Sequence, residues 1–163
     1  MPTPTHTLIE AVTLATSASS VTFSSIPQTY GDLVLALNIK PTAALNVRLR
    51  VNGDTGTNYN YVVMAGNGTA ASSASAASQD FIYLDYTAYT NITASVIQAN
   101  FIDYSTDKHK SILARASNST TGVNAQGIRW ASAAAITSME IYAISNQFDV
   151  GSTFHLYGIA KAL

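Results

Sequence analysis

The chain has 163 residues, enough for one domain with a substantial core and little room for a second. Hydrophobic residues make up 47 % and charged residues only 10 %, against about 25 % in ordinary soluble proteins, so the polar surface must be mostly Ser, Thr, Asn, Gln and backbone, which suits contact with protein or sugar. A net charge of −1 with scattered Lys and Arg removes the electrostatic footprint of a nucleic-acid binder, and the lack of cysteine excludes disulfides and thiolate metal sites.

Met1-Pro2-Thr3-Pro4-Thr5-His6 has neither the positive n-region nor the apolar h-region of a secretory signal. No stretch is long and apolar enough to cross a bilayer, and no membrane contact is expected. With two prolines and no apolar anchor, residues 1–6 are predicted to be an extended arm and residues 7–163 a single domain. Thr7 to Ala15 is a short β-prone run, closed by the turn residues Thr16 to Ser20. Val21 to Ser24 alternates again up to Ile26-Pro27, where proline has no N–H to pair.

From Asp32 the period of two is strongest: Leu33, Leu35, Leu37 and Ile39 share one face of a predicted strand. After Pro41 to Ala44 the pattern resumes, with Val47, Leu49 and Val51 on one face and Arg48 and Arg50 on the other. Cations on that face require water or a partner. Asn52-Gly53-Asp54-Thr55-Gly56 is a tight reversal that uses positive φ, and it lacks the downstream Glu of a calcium loop. Tyr59 to Met64 returns as a strand. Residues 66–79 are almost entirely Gly, Asn, Ala, Ser and Thr without apolar periodicity, so a flexible loop is expected.

Asp80 to Tyr86, Ser95 to Tyr104, His109 to Ser117, Val123 to Ala131, Ile136 to Ile144 and Thr153 to Ala160 complete the predicted strands. Leu113 and Arg115 oppose Ile112, Ala114 and Ala116, and Val96 and Ile102 oppose Ile97, Ala99 and Phe101. Short strands separated by turn residues, with no convincing helix, predict an all-β fold: an antiparallel β-sandwich of jelly-roll type. The sequons at Asn67, Asn91 and Asn118 are those expected by chance in a chain so rich in Asn, Ser and Thr.

No catalytic constellation stands at recognisable spacing, and neither enzyme activity nor a cofactor is expected. His6, His109 and His155 are far apart in sequence and read as surface or interface residues. Asp103 and Asp107 flank Tyr104-Ser105-Thr106 and either cap a turn or hold a cation. Nine tyrosines permit sugar stacking, but tyrosine is equally at home in protein interfaces.

Three stretches carry a family resemblance: Ser20 to Leu35 (SVTFSSIPQTYGDLVL), Arg50 to Tyr59 (RVNGDTGTNY) and Gly151 to Ile159 (GSTFHLYGI). They resemble the β-sandwich virion proteins of tailed bacteriophages, a group in which such domains serve as capsid decoration (cement) proteins or as ends of tail-fibre and appendage chains. A stand-alone domain with a short arm looks more like the former. The resemblance implies a non-enzymatic protein of the capsid exterior that binds the major capsid protein, stabilises the shell and forms a homotrimer. The alternative it implies is an appendage domain that binds a host receptor or glycan. The segments expected to be free for such contacts are the arm and the Ala/Ser loop, assisted by two arginines: Pro2, Thr3, Pro4, Thr5, His6, Arg48, Arg50, Asn67, Thr69, Ser72 and Ser75. Removing residues 2–6, or replacing the loop with a Gly-Ser link, is expected to leave the domain folded.

Overall fold

In the computed structural model, which describes residues 4–85, 94–118, 120 and 122–161, the alternating runs become strands. No helix occurs among the described residues. In chain order the strands are β1 (His6–Thr13), β2 (Ser20–Phe23), β3 (Asp32–Ile39), β4 (Val47–Val51), β5 (Tyr59–Gly66) and β6 (Ala71–Gln79). Then come β7 (Ile82–Tyr83), β8 (Ser95–Ile102), β9 (Lys110–Asn118), β10 (Gly122–Trp130), β11 (Met139–Ala143) and β12 (Thr153–Ile159). They form an eight-stranded antiparallel sheet, β1-β12-β3-β8-β9-β10-β5-β6, and a four-stranded one, β2-β11-β4-β7. This is a β-sandwich in one domain. Its order does not confirm the jelly-roll refinement, because a jelly roll is eight strands in two Greek keys, whereas here β8, β9 and β10 run as a meander into β5 and β6.

The core lies where the two inner faces meet. Leu33, Leu35, Leu37 and Ile39 of β3 are buried against Val47, Leu49 and Val51 of β4 and the inward residues of β11, with Phe23, Phe101, Trp130 and Phe154 filling the space between. The period of two puts each of these on one face, which makes that face water-averse over its whole length. The small sheet is half the width of the large one. Ile26, Leu45, Leu84, Tyr104, Ile136 and Phe148, from the connections, cover the remaining inner surface and are buried too.

The Asn-Gly turn after β4 carries the chain from one sheet to the other. Asn52 (φ 51°) and Gly53 (φ 65°) take left-handed backbone, and the Asp54 N–H donates to the Val51 carbonyl at 2.8 Å, the arrangement of a type I′ turn. The Asp54 carboxylate then accepts from Gly56 N (2.8 Å), Asn58 Nδ2 (2.9 Å) and, from β10, the indole Nε1 of Trp130 (2.7 Å). Tyr59 stacks on Trp130, ring centroids 6.5 Å apart, and its buried hydroxyl accepts from Val51 N at 3.1 Å. Burial pushes the Tyr59 phenol well above its usual range, despite the Val51 bond.

The resemblance-bearing stretches also pack on one another. Gly31 N donates to the Ile159 carbonyl at 2.8 Å, and the Tyr30 ring lies over Gly158, where a Cβ would come within 2.3 Å of it. These residues build strand ends and turns.

Three expectations need correction. Residues 66–79 are not a loop: Asn67-Gly68-Thr69-Ala70 is a hairpin turn, with Asn67 Oδ1 accepting from Thr69 N (3.0 Å) and Ala70 N (2.8 Å) and Gly68 at φ 87°. Beyond it β6 pairs with β5 from Gly66↔Ala71 to Tyr61↔Ala76. The strand owes its existence to that turn and to the neighbour's backbone; its Ala74 and Ala76 need only trim the edge of the core. A Gly-Ser link there would therefore delete a strand. Second, the arm does not reach residue 6, because His6 already pairs with Ile159 in β1 and the Thr5 carbonyl accepts from Ala160 N; Pro2 and Thr3 lie outside the described residues. Third, of the described residues 80–85 in the run from Asp80, only Ile82 and Tyr83 pair as a strand, and Tyr86 lies outside the described residues.

Asp54 yields a stability prediction. Partial burial pushes its carboxyl up, but the bonds from Trp130, Asn58 and Gly56 and the charge of Arg50 outweigh that and hold it below the ordinary value. A carboxyl lowered by folding contributes stability above its unfolded pKa, near 4, and loses it as pH falls through the folded value. Asp54→Ala should cost about 2 kcal/mol at pH 7, mainly by orphaning the Trp130 N–H. In thermal melts monitored by circular dichroism, the variant's loss of Tm below about pH 4 should be shallower than the parent's; equal melting temperatures at pH 7 would refute the role given to this carboxylate.

Candidate docking surface

The large sheet turns its second face to water, and there the alternation predicts polar residues. Several positions break that rule. Val62 (60 % exposed), Met64 (67 %) and Leu113 (60 %) stand out from β5 and β9, with Val96, Ile102 and Val123 on the neighbouring strands β8 and β10 also exposed. Register brings the first three together. Gly127 of β10 pairs with Val62 on one side and Leu113 on the other, and Ala125 pairs with Met64 and Arg115. In the other direction Arg129 pairs with Asn60 and Ser111.

Between the aliphatic walls, the strand in the middle carries only the small residues Ala125 and Gly127, so the surface dips. The result is a hollow of about 560 Å³ lined by Val62, Met64, Leu113, Ala125 and Gly127, with Asn100, Gln126 and Arg115 at its margin. It continues toward β6, where Ser75 and Ala77 form the far wall and Arg129 the near end. Gly127 sets its depth: a Cβ there would meet nothing within 4 Å.

The electrostatics of this face are one-sided. Strands β5, β6, β8, β9 and β10 contain no Asp or Glu, and their outward charges are Arg115 and Arg129. Arg115 Nη2 donates to Gln98 Oε1 at 2.9 Å. The Arg129 guanidinium donates to His109 Nδ1, with nitrogens at 2.9 and 3.2 Å. Neither partner is a carboxylate, so hydrogen bonds hold the guanidiniums in place and leave their charge unbalanced. Among the described residues, the carboxylate contacts within 4.0 Å of a cation are those of Arg50.

The residues expected to make contacts do not share one surface. Pro4, Thr5 and His6 lie at the β1 edge of the large sheet and Asn67, Thr69, Ser72 and Ser75 at the opposite, β6 edge. Among the described ones, only Ser75 borders the hollow. Arg48 and Arg50 are on the outer side of the small sheet and are engaged within the protein. Arg48 lies 3.7 Å over the Phe81 ring and donates to Tyr83 Oη at 3.0 Å. Arg50 sits near Asp80 (3.7 Å) and Glu140 (4.0 Å), with the Tyr142 ring 5.0 Å away.

The other chemical candidates resolve as structure. At the Asp103–Asp107 turn the cation is the protein's own: the Lys110 ammonium donates to the carbonyls of Thr106 (2.7 Å) and Lys108. Burial lowers the Lys110 pKa, and Asp107 and Asp103 counter it. His6 and His109 are exposed and His155 half-buried on different strands or turns, and among the described residues no group of three His, Asp or Glu converges.

Val62, Met64, Leu113, Gly127 and Arg129 were not singled out by the sequence as a site. The signal was present: aliphatic residues recur on both faces of runs that alternation assigns to a half-wet sheet, and a glycine interrupts the third of them. No protein-family model matches the chain, and no curated protein matches it, so the functional reading rests on these residues and the resemblance quoted above.

Because residue 127 is exposed mid-strand without positive φ, a β-branched residue fits it and Gly127→Val should stabilise the fold by about 0.5–1 kcal/mol while filling the hollow. A thermal melt checks this, and a lower Tm than the parent would show that the dip is not open space.

Proposed function

We propose that this is a non-enzymatic structural protein of a virion, a capsid decoration (cement) protein that binds the major capsid protein on the shell exterior. One observation carries the reading: an exposed, carboxylate-free apolar hollow on the outer face of the large sheet. Large aliphatic side chains that a domain could have kept inside are instead set side by side in water, and such patches mark surfaces that become covered. Fully covering a Val, Leu or Met contributes about 1.5–3 kcal/mol each, which is a sufficient basis for a contact repeated over many copies. The resemblance supplies the virion context, and the stiff two-sheet frame supplies a surface that need not rearrange on docking.

A glycan-binding appendage would present aromatic rings to sugar faces. The described Tyr, Phe and Trp side chains are all buried or half-buried, so the sheet face supports protein contact instead. Decoration predicts that an antibody against this protein labels purified particles over the whole shell, and that the isolated protein, by light scattering, is the homotrimer that the resemblance implies. Labelling confined to the tail tip, together with saturable signals on a glycan array, would replace this reading with the appendage one.

A further inference from the structure

We infer that the hollow recognises an extended acidic-aliphatic protein segment with the pattern acid-x-aliphatic-x-acid, laid along the strands. This partner class rests on the reading of the face as a docking surface, but not on the partner being a capsid.

The spacing comes from the register. Arg129 pairs with Ser111, and Arg115 follows Ser111 by four residues on the same strand. The Cα atoms of the two arginines therefore stand about 14 Å apart, four residue steps along the strands and one strand across. Gly127 lies midway between them along the strand direction, flanked by Leu113 and Val62. In an extended chain residues i, i+2 and i+4 face the same side and span about 13 Å. A segment running over β9 and β10 thus sets its two outer side chains over the Arg115 and Arg129 positions, within reach of those long side chains, when its central one sits over Gly127. The central side chain must be aliphatic, because Leu113, Val62, Met64 and Ala125 surround it. The outer two must be carboxylates, because each meets an arginine whose own partners, Gln98 and His109, carry no negative charge. Such guanidinium–carboxylate bonds are charge-assisted and directional.

Charge complementarity decides between occupants. A second copy applied face to face would bring arginines to arginines, since these five strands supply no acid. Two cations around an apolar floor are too few for a nucleic-acid phosphate track, and a membrane would favour more lysines and an exposed aromatic rim.

The test uses the whole chain labelled with 15N and a capped nine-residue peptide, Thr-Thr-Glu-Thr-Leu-Thr-Glu-Thr-Thr, with a second peptide in which both Glu are Lys. Titration to about 5 mM should move the amide resonances of residues 62, 64, 113, 115, 125, 127 and 129, with the Glu peptide binding at least ten-fold tighter than the Lys peptide. The double variant Arg115→Glu/Arg129→Glu should invert that preference, and Gly127→Val should abolish the shifts while remaining folded. Equal response to both peptides, no response, or shifts centred elsewhere would overturn the inference. Stronger shifts at these residues with an oligothymidylate or with anionic vesicles would overturn it too. If the peptide fails while particles are labelled over the shell, the recognition chemistry falls and decoration stands; the reverse outcome keeps the recognition and removes the virion placement.

Discussion

The sandwich depends on one turn, in which Asn52 and Asp54 tie together two of the places where the chain changes sheets, β4 to β5 and β10 to β11. Asn52 Oδ1 accepts from Thr137 N (2.8 Å) and Ser138 N (3.1 Å), and its Nδ2 donates to the Ala135 carbonyl at 2.7 Å, holding the β10-to-β11 crossing. Asp54 takes the Trp130 indole at the end of β10, just where that crossing begins. One short polar segment therefore fixes both crossings against each other. Hydrophobic burial drives the sheets together without direction. These bonds, most of them to backbone groups that would otherwise be orphaned, set which edge meets which.

Fixing the sheets in this way leaves an unequal sandwich. Four strands cannot cover eight, so connections such as those bearing Ile26, Leu45 and Phe148 close the inner face, and the outer face of the wide sheet stays in water. The region over β9, β10 and β5 is the part of that face where aliphatic walls and a glycine floor coincide. Its arginines reinforce the surface. Each is oriented by a neighbour that is not a carboxylate, whereas Arg50 on the other sheet lies against internal carboxylates. Stiffness and unbalanced charge together make a surface that is ready before a partner arrives, so little ordering cost falls on this side of a contact.

The Ala/Ser strand shows how tertiary context overrides composition. Alone, ASSASAASQ has neither the β-branched residues nor the alternation of a strand. Paired with β5 across an Asn-Gly turn, it needs only backbone groups and small side chains. The arginines of β4 show the converse. Their place on the face away from the core was legible in VRLRV, yet their partners, Phe81, Tyr83, Asp80 and Glu140, come from segments 30 to 90 residues distant and neutralise or cover them.

What the sequence determined by itself was the inward face of most strands, the Asn52–Asp54 reversal and the all-β class, because each follows from a local period of two or from backbone that only Asn and Gly adopt readily. Leu33 to Ile39 and Val47 to Val51 could not be read otherwise. What only the tertiary structure decided was how twelve strands divide eight and four, and which exposed residues stand together. Leu113 and Gly127 are on consecutive strands paired from Asn118↔Gly122, but no local signal brings Val62 beside them; β5 and β10 are separated by more than fifty residues of chain, and their register is set by core packing and the turn at Asn52. The physical reason is that a strand's alternation specifies which face a side chain takes, while its neighbours are chosen by long-range burial, and the hollow is a property of neighbours.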